Sequence, residues 1–330
     1  MIFINNPHTD PDFNLALEEL VFRSHNAVNE SILILWQNDN AVIIGRYQHA
    51  IEQINPAAID DFGVKVVRRI TGGGAVYHDL GNLNYTFITS VDNSNGLDFK
   101  AFAGPVVKAL RKLGIAAQLS GRNDIVVDGK KISGTAQCCI NNNVLFHGTL
   151  LFDSDLDMVE HVLRVNADKI KSKGIKSVKA RVTNIRPHLS ADCSINEFKS
   201  SILNALSEEQ EIAPRLITSD EFKKSKMLAD SKYANWEWNY GESPKANFFN
   251  EMHFPCGNVK VGLQIEAGRI ESCRIFGDFL GYGDLAPLEE NLKGVPYSHA
   301  HVKNIFDKFD LKHLFNELTT SELLSVFFSA

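Results

Sequence analysis

A run of three glycines, at positions 72–74, lies between two strand-like segments and constrains how this chain can fold. The segment before it, residues 64–69, is rich in valine and ends in two arginines, and the chain resumes as a strand at residues 75–78. Glycine adopts backbone conformations of either hand, so successive N–H groups in such a turn can point into one concavity. An arginine beside that concavity favours an anion, most often a phosphate. A glycine-rich turn is also common in proteins that bind nothing there, so the neighbouring motifs must decide.

Composition limits the class of protein. The chain has 330 residues, which permits one large domain or a large domain with a small one, and its 44% hydrophobic and 22% charged content is ordinary for a globular protein. A net charge of −6 argues against a general nucleic-acid or membrane binder, and no apolar run has the length of a membrane span. The N-terminus lacks the basic and apolar regions of a signal peptide, and five cysteines without a C-x-x-C pattern predict neither a disulfide framework nor a zinc site. We therefore expect a cytoplasmic protein.

The order of periodic segments predicts an α+β protein. Asp10 and Pro11 are a typical helix start, and two β-rich runs, 31–36 and 41–46, are joined by four turn-forming residues and predict a hairpin. A helix is expected over residues 99–113, starting or kinking at Pro105. Strand candidates alternating with helices predict a mostly antiparallel or mixed sheet before residue 155. Two further strands (258–266 and 269–276) and helices from residue 298 predict a small α+β C-terminal domain.

A second informative stretch is a predicted hairpin with Asp128 and Gly129 at its turn, the pattern of a two-residue type I′ turn. That turn places Val126 opposite Lys131 and would place Asp124 opposite residue 133. Lys131 then shares a face with Asp124, within reach of a salt bridge, while the adjacent Lys130 projects from the other face. Taken alone, such a pair is usually a weak surface contact.

Two more stretches are ambiguous by themselves. His147 lies in the middle of a strand and is either a satisfied core histidine or a group near a ligand. Residues 169–181 carry six cations and are either a solvated loop or a flap that orders on phosphate. The chain has no G-x-x-x-x-G-K-[ST], no G-x-G-x-x-G opening a helix and no G-x-S-x-G, so a P-loop enzyme, a dinucleotide-binding fold and a serine hydrolase are unsupported.

Together these stretches resemble the lipoate–protein ligases. The matching segments occur in the family's order over roughly the first three quarters of the chain. They are Trp36 with residues 45–48, then residues 68–82, 122–124, 131–134, 146–151, 173–184 and 236–244.

The resemblance implies a fold and a reaction. The fold is a biotinyl/lipoyl-ligase catalytic domain, related to class II synthetases, over residues 1–246, with a small accessory domain over residues 247–330. The reaction joins lipoate and ATP into lipoyl-adenylate, with release of pyrophosphate, and then passes the lipoyl group to a lysine of an acceptor protein. The implied acceptors are the glycine-cleavage H protein and the acyltransferase subunits of 2-oxo acid dehydrogenase complexes. Mg²⁺ is expected with ATP, and a monomer is the default state.

The resemblance also assigns roles to residues. Lys131 is the catalytic residue and bridges the acyl carbonyl oxygen and the phosphate, while Asp124 either supports Lys131 or holds the metal. Nucleotide and adenylate binding is assigned to Arg69, Gly74, Ala75, Val76, Tyr77, Lys131 and Asp124. The lipoate tunnel is assigned to Trp36, Gly73, His78, His147 and Lys131. The adenylate-covering loop is assigned to Lys171, Gly174, Ser177, Val178 and Arg181.

Two alternatives stay open on sequence grounds. A lipoyl or octanoyl transferase would carry the acyl group as a thioester, and the pair Cys138–Cys139 lies close in sequence to Lys131. A non-catalytic relative would bind lipoate or lipoylated domains without releasing pyrophosphate. The covering loop and the accessory domain argue against the transferase, and the complete motif set argues against the non-catalytic protein.

Overall fold

The computed structural model describes residues 1–25, 30–90, 99–121, 123–140, 142–164, 180–209, 211–241 and 248–328. The strands in these ranges are β1 (Ile2–Asn5), β2 (Ile32–Trp36), β3 (Ala41–Ile44), β4 (Lys65–Arg68), β5 (Val76–His78), β6 (Asn82–Ser90), β7 (Gln118–Ser120), β8 (Asp124–Val127), β9 (Lys130–Ile140), β10 (Asn143–Leu151), β11 (Ala213–Arg215), β12 (Phe248–Phe254), β13 (Gly257–Glu266) and β14 (Arg269–Gly277). The helices are α1 (Pro11–Ser24), α2 (Ala50–Gln53), α3 (Pro56–Asp61), α4 (Phe99–Lys112), α5 (Leu156–Val162), α6 (Ile195–Ser207), α7 (Ser219–Leu228), α8 (Trp236–Asn239), α9 (Ala286–Leu292), α10 (His299–Phe306), α11 (Leu311–Phe315) and α12 (Thr320–Phe328).

The main sheet has eight strands in the order β11-β1-β2-β6-β10-β9-β8-β7. β1 is parallel to both of its neighbours, and the other pairs are antiparallel. A second sheet has the order β4-β3-β5, with β3 parallel to β4 and antiparallel to β5. The expected α+β architecture with a mixed sheet is therefore confirmed.

The main sheet is covered on both faces. Alternation along β10 sends Phe146 to the face that packs against α4 and α6, in one apolar core. The other face carries Trp36 and Leu145, which share a second core with α1 and with Ile43 and Val67 of the small sheet. A cavity lined by Leu15, Trp36 and Ile43 opens on this second face, between the two sheets. Helix α1 begins as predicted, since the Asp10 carboxylate accepts the Phe13 N–H at the cap.

The C-terminal residues form a second unit with its own core. Strands β12, β13 and β14 make an antiparallel sheet, and the apolar side chains of α9 to α12 pack with it in one cluster. This unit contacts the rest of the chain through Tyr47, whose ring stacks on Phe279 at 4.9 Å and whose carbonyl accepts the Gly277 N–H at 2.8 Å. The predicted small C-terminal domain is confirmed. Its predicted boundary, between residues 246 and 247, falls outside the described residues and stays a prediction.

Three local predictions were wrong in part. Strands β2 and β3 do not form a hairpin but enter different sheets, because the intervening Asn38 is buried and bonds to other segments rather than closing a turn. Helix α4 continues through Pro105, so the predicted start at that residue is wrong, whereas the alternative of a kink there stays a prediction. The β8–β9 register slips by one residue, so Asp124 pairs with Gly134 rather than with residue 133. In the parts of the chain that the structure describes, no helix is both long and apolar enough to cross a membrane.

Candidate active site

Two adjoining cavities lie between the main sheet and the small sheet. The narrow cavity has a volume of about 100 Å³ and the wide cavity about 490 Å³. Both are lined by Gly74, Ala75, Val76, Lys131 and Thr149. The sequence-predicted residues Trp36, Arg69, His78 and His147 line only the narrow cavity, whereas Tyr77, Asp124 and Arg181 line only the wide one.

Lys131 lies at the junction because of its hairpin. Asp128 and Gly129 have φ values of 50° and 74°, as the type I′ turn requires, and Val126 pairs with Lys131 as predicted. The one-residue slip beyond that pair does not separate the two charges, since Lys131 Nζ lies 2.8 Å from Asp124 Oδ1. The predicted proximity is confirmed, and the ammonium group stands between the two cavities with one carboxylate beside it.

Arg69 is buried behind the glycine loop. Its Nη2 donates to the carbonyls of Gly72 and Gly74 at 2.6 and 2.8 Å, and its Nε donates to Thr71 Oγ1 at 3.0 Å. Burial lowers the pKa of Arg69 to about 10, so the guanidinium is still charged at neutral pH. The structure thus shows Arg69 bracing the loop, while its contact with nucleotide phosphates stays a prediction.

The glycine loop is shared with the C-terminal domain. Gly73 has a φ of 88°, and its N–H donates to the Phe279 carbonyl at 3.3 Å. A Cβ at Gly72 would lie 2.5 Å from that same oxygen. The Gly73 N–H therefore bonds to the C-terminal domain, whereas the glycine pattern predicted that successive N–H groups of the loop would face one ligand. Gly73 lines neither cavity, so its assignment to lipoate stays a prediction.

A buried polar network supports one wall of the narrow cavity. His147 Nδ1 lies 2.9 Å from Glu18 Oε1, and its Nε2 lies 2.8 Å from Thr71 Oγ1. The Trp36 indole N–H donates to Thr86 Oγ1 at 2.9 Å, and that hydroxyl donates to Glu18 at 2.6 Å. Both ring nitrogens of His147 therefore contact protein groups, and its assignment to lipoate stays a prediction.

Sequence reasoning missed Glu18, Thr71 and Thr86 in this network. One signal was available, because Asn14 and Glu18 are four residues apart and put two polar side chains on the same face of α1. That face is buried, and a buried carboxylate needs partners. The partners come from β6 and β10, which are far away in sequence.

The surroundings of His78 disfavour the protonated form of its imidazole ring. Burial, reinforced by the neighbouring Arg69 and His147, lowers the pKa of His78 to about 3. Its ring meets that of Trp36 edge-on, with centroids 6.4 Å apart. His78 is therefore a neutral side chain at any physiological pH.

The predicted covering loop lies only partly within the described residues. Lys171, Gly174, Ser177 and Val178 lie outside the described residues. Arg181 lines the wide cavity, and its carbonyl accepts the backbone N–H of Lys131 at 2.8 Å. The segment that follows residue 180 is therefore hydrogen-bonded to the lysine strand.

The other predicted chemistry is less supported. Within the described ranges, no group of three or more His, Cys, Asp or Glu side chains could hold a metal, so Asp124 stands as a single carboxylate. Burial raises the pKa of the Cys138 thiol far above its usual value and also raises that of Cys139. A thioester route needs an activated thiolate, and these surroundings disfavour one.

Family models match nearly the whole chain. The lipoyl protein ligase A/B catalytic domain matches residues 10–207, and the bacterial lipoate protein ligase C-terminus matches residues 243–327. The first model alone covers more than half of the sequence.

Individual relatives agree with these models. The chain is 42% identical to the lipoate-protein ligase LplJ of Bacillus subtilis (strain 168), over 99% of this chain and 100% of that protein. It is 44% identical to lipoate–protein ligase 1 of Staphylococcus aureus (strain Mu50), over 97% of each. Among solved structures, P. falciparum LipL1 in complex with lipoate has a TM-score of 0.81 at 26% identity, over 98% of both chains. A lipoate-protein ligase A bound with ATP has a TM-score of 0.62 at 32% identity, over 73% of this chain and 98% of that one.

Proposed function

Because this chain belongs to the lipoate–protein ligase family, we propose that its narrow cavity holds the acyl chain of lipoate and its wide cavity holds ATP. The enzyme activates lipoate with ATP to lipoyl-adenylate, releases pyrophosphate, and then transfers the lipoyl group to a lysine of an acceptor protein. One observation carries the assignment of the cavities: Lys131 and the backbone of residues 74–76 line both of them.

Lys131 serves both steps of the reaction. In the first, a lipoate carboxylate oxygen bonds to the α-phosphorus as the bond to pyrophosphate breaks, which brings two anionic groups together. A fixed ammonium at the junction offsets that repulsion and the charge that develops. In the second step, the acceptor amine attacks the acyl carbon and AMP leaves, and the same ammonium stabilises the carbonyl oxygen.

The nucleotide is held by the wall of the wide cavity. Gly74, Ala75 and Val76 present their backbone to it, and Tyr77 and Arg181 extend the wall. We assign Lys171, Gly174, Ser177, Val178 and Arg181 to a cover over the adenylate, which would keep water from the mixed anhydride.

Among the described residues, the wide cavity offers Mg²⁺ one protein carboxylate, that of Asp124. This ion is usually bound by one or two carboxylates together with substrate phosphates. When bound, the ion would neutralise phosphate charge. Asp124 already contacts Lys131, so we propose that it orients the lysine and that the phosphates supply most of the metal ligands.

The acceptor is a lipoyl-acceptor domain. A structure from Thermoplasma acidophilum contains a bipartite lipoate protein ligase together with its E2 lipoyl domain. For this chain we propose the glycine-cleavage H protein and the acyltransferase subunits of 2-oxo acid dehydrogenase complexes as acceptors, with the enzyme acting as a monomer in the cytoplasm.

Two neighbouring lysines provide a matched test. We expect Lys131→Ala to fold but to form no detectable lipoyl-adenylate, measured as pyrophosphate release from ATP with lipoate. Lys130→Ala removes the same charge from the exposed residue next to it and should keep the activity of the unaltered enzyme. A folded Lys131→Ala enzyme that still releases pyrophosphate would show that another cation stabilises the charge that develops during adenylation.

A further inference from the structure

The narrow cavity contains two hydrogen-bond donors that have no partner among the described residues. They are Nε2 of His78 and Nδ2 of Asn84. Both side chains line the cavity, and they are only 4% and 2% exposed. Buried donors are usually paired, so this pair indicates a missing acceptor.

A chain of asparagines fixes the proton of His78 on Nε2. Asn14 Nδ2 donates to the backbone carbonyl of Gln37 at 2.7 Å, which sets the orientation of its amide. The same nitrogen donates to Asn38 Oδ1 at 2.9 Å, so Asn38 must present its own Nδ2 to His78. That nitrogen lies 3.1 Å from His78 Nδ1, which therefore accepts.

Asn84 pairs with a second asparagine, since its Oδ1 lies 2.9 Å from Asn82 Nδ2, and the Asn84 Nδ2 is left without a partner among the described residues. The charged or titratable groups that face His78 are Arg69 and His147, and Glu18 lies behind His147. His78 stays neutral in these surroundings, so its Nε2–H is a constant donor.

Strand pairing locates both donors away from the reacting end. Asn84 pairs with Thr149, whose Oγ1 accepts the Gly134 N–H, and Gly134 adjoins Lys131 Nζ. Asn84 thus lies two strands from the lysine, about 10 Å away. His78 lies two residues beyond Val76, which lines both cavities, and so is about 7 Å from the junction. This is the end that the tail of an eight-carbon acyl chain reaches when its carboxylate meets Lys131.

We propose that His78 and Asn84 recognise the sulfur atoms of the dithiolane ring and thereby select lipoate over octanoate. This inference rests on the proposed function and adds the basis of its acyl selectivity. Sulfur is a weak acceptor, but the methyl end of octanoate leaves both donors unpaired. Because the acceptor is weak, we expect a selectivity on the order of tenfold rather than the much larger factors seen for hydroxyl groups.

Asn38→Asp tests the donor without altering the cavity wall, since Asn38 lines neither cavity. A carboxylate at that position accepts from Nδ1, which leaves Nε2 of the neutral ring as an acceptor aimed at the sulfurs. The ring then keeps its Nε2–H only when protonated. We expect the ratio of kcat/KM for lipoate over octanoate to be constant from about pH 6 to about pH 9 in the unaltered enzyme. In Asn38→Asp it should fall toward one as pH rises.

Two further variants complete the test. His78→Phe keeps a ring but loses the donor, so its ratio should fall at every pH. Asn204→Asp adds the same charge on the exposed side of α6 and should keep the original ratio. A folded Asn38→Asp or His78→Phe enzyme with the original ratio would overturn the inference, as would equal losses for both acids. Absence of pyrophosphate release with either acid in the unaltered enzyme would instead contradict the proposed function.

Discussion

At residue 134 a Cβ would lie 2.7 Å from Lys131 Nζ and 2.9 Å from its Cε. Only glycine leaves the lysine side chain room to fold back over its own strand and reach Asp124. The Gly134 N–H also donates to Thr149 Oγ1 at 3.1 Å, and Thr149 lines both cavities. Gly134 is therefore a positioning residue for the ammonium group.

Replacing Gly134 by alanine should displace the ammonium with little effect on folding, because the clashing atoms are the end of a flexible side chain. We expect adenylation to fall by about a hundredfold, since a misplacement of about 1 Å can cost that much. Pyrophosphate release and thermal unfolding measure the two effects.

The lysine itself supplies the control. In a Lys131→Ala background the alanine at residue 134 has no ammonium group to displace, so it should cause no further loss of stability in thermal unfolding. A folded Gly134→Ala enzyme with unchanged adenylation would refute the positioning role.

Residues whose role depends on nearby sequence could be predicted, and residues whose role depends on distant packing could not. The turn at Asp128 and Gly129 brings Lys131 to Asp124, so that pair was found from the sequence. Glu18 matters only because α1 packs across β10 and brings it to His147, and no local pattern contains that contact.

The same distinction applies to whole elements. The start of α1 and the strands on either side of the glycines follow from local chemistry and were predicted. The slip between β8 and β9 was not predicted, because Thr135 bonds through its N–H to Asn123, beyond the hairpin. The supposed hairpin between β2 and β3 failed for the same kind of reason, since Asn38 bonds to distant residues.

Two glycines with open space around them differ in backbone conformation and give a matched pair. Nothing lies within 4 Å of a Cβ at Gly104, inside α4, or at Gly129, where φ is 74°. We expect Gly104→Ala to raise the free energy of unfolding by about 1 kcal/mol, because alanine favours a helix. Gly129→Ala should lower it by about 1 kcal/mol, because a side chain disfavours positive φ. Urea unfolding measures both, and equal shifts would contradict the argument.

At the scale of the whole molecule, the order of the two domains was predictable, but the surface between them was not. That surface depends on backbone groups such as the Phe279 carbonyl, which carry no sequence signal. It joins the accessory domain to the same loop that lines both cavities.

Gly72→Ala should disturb that surface, because its Cβ would lie 2.5 Å from the Phe279 carbonyl oxygen, a backbone atom that cannot rotate aside as the end of a flexible side chain can. We expect the free energy of unfolding of the full chain to fall by about 1–3 kcal/mol, the usual cost of overpacking. Gly74→Ala is the control for stability, since nothing lies within 4 Å of its Cβ. Thermal unfolding measures both variants. If Gly72→Ala and Gly74→Ala both unfold at the temperature of the unaltered protein, the close contact of Gly72 with Phe279 does not contribute to stability.

The position of Trp36 has a practical consequence. The chain has three tryptophans, and Trp36, only 3% exposed, is the one that lines the narrow cavity, whereas Trp236 is 63% exposed. A cyclic disulfide that enters beside an indole quenches its fluorescence, and a saturated fatty acid does not. If the narrow cavity takes lipoate as proposed, quenching of the Trp36 emission would report the entry of lipoate in real time without any added label, whereas octanoate would leave the emission unchanged.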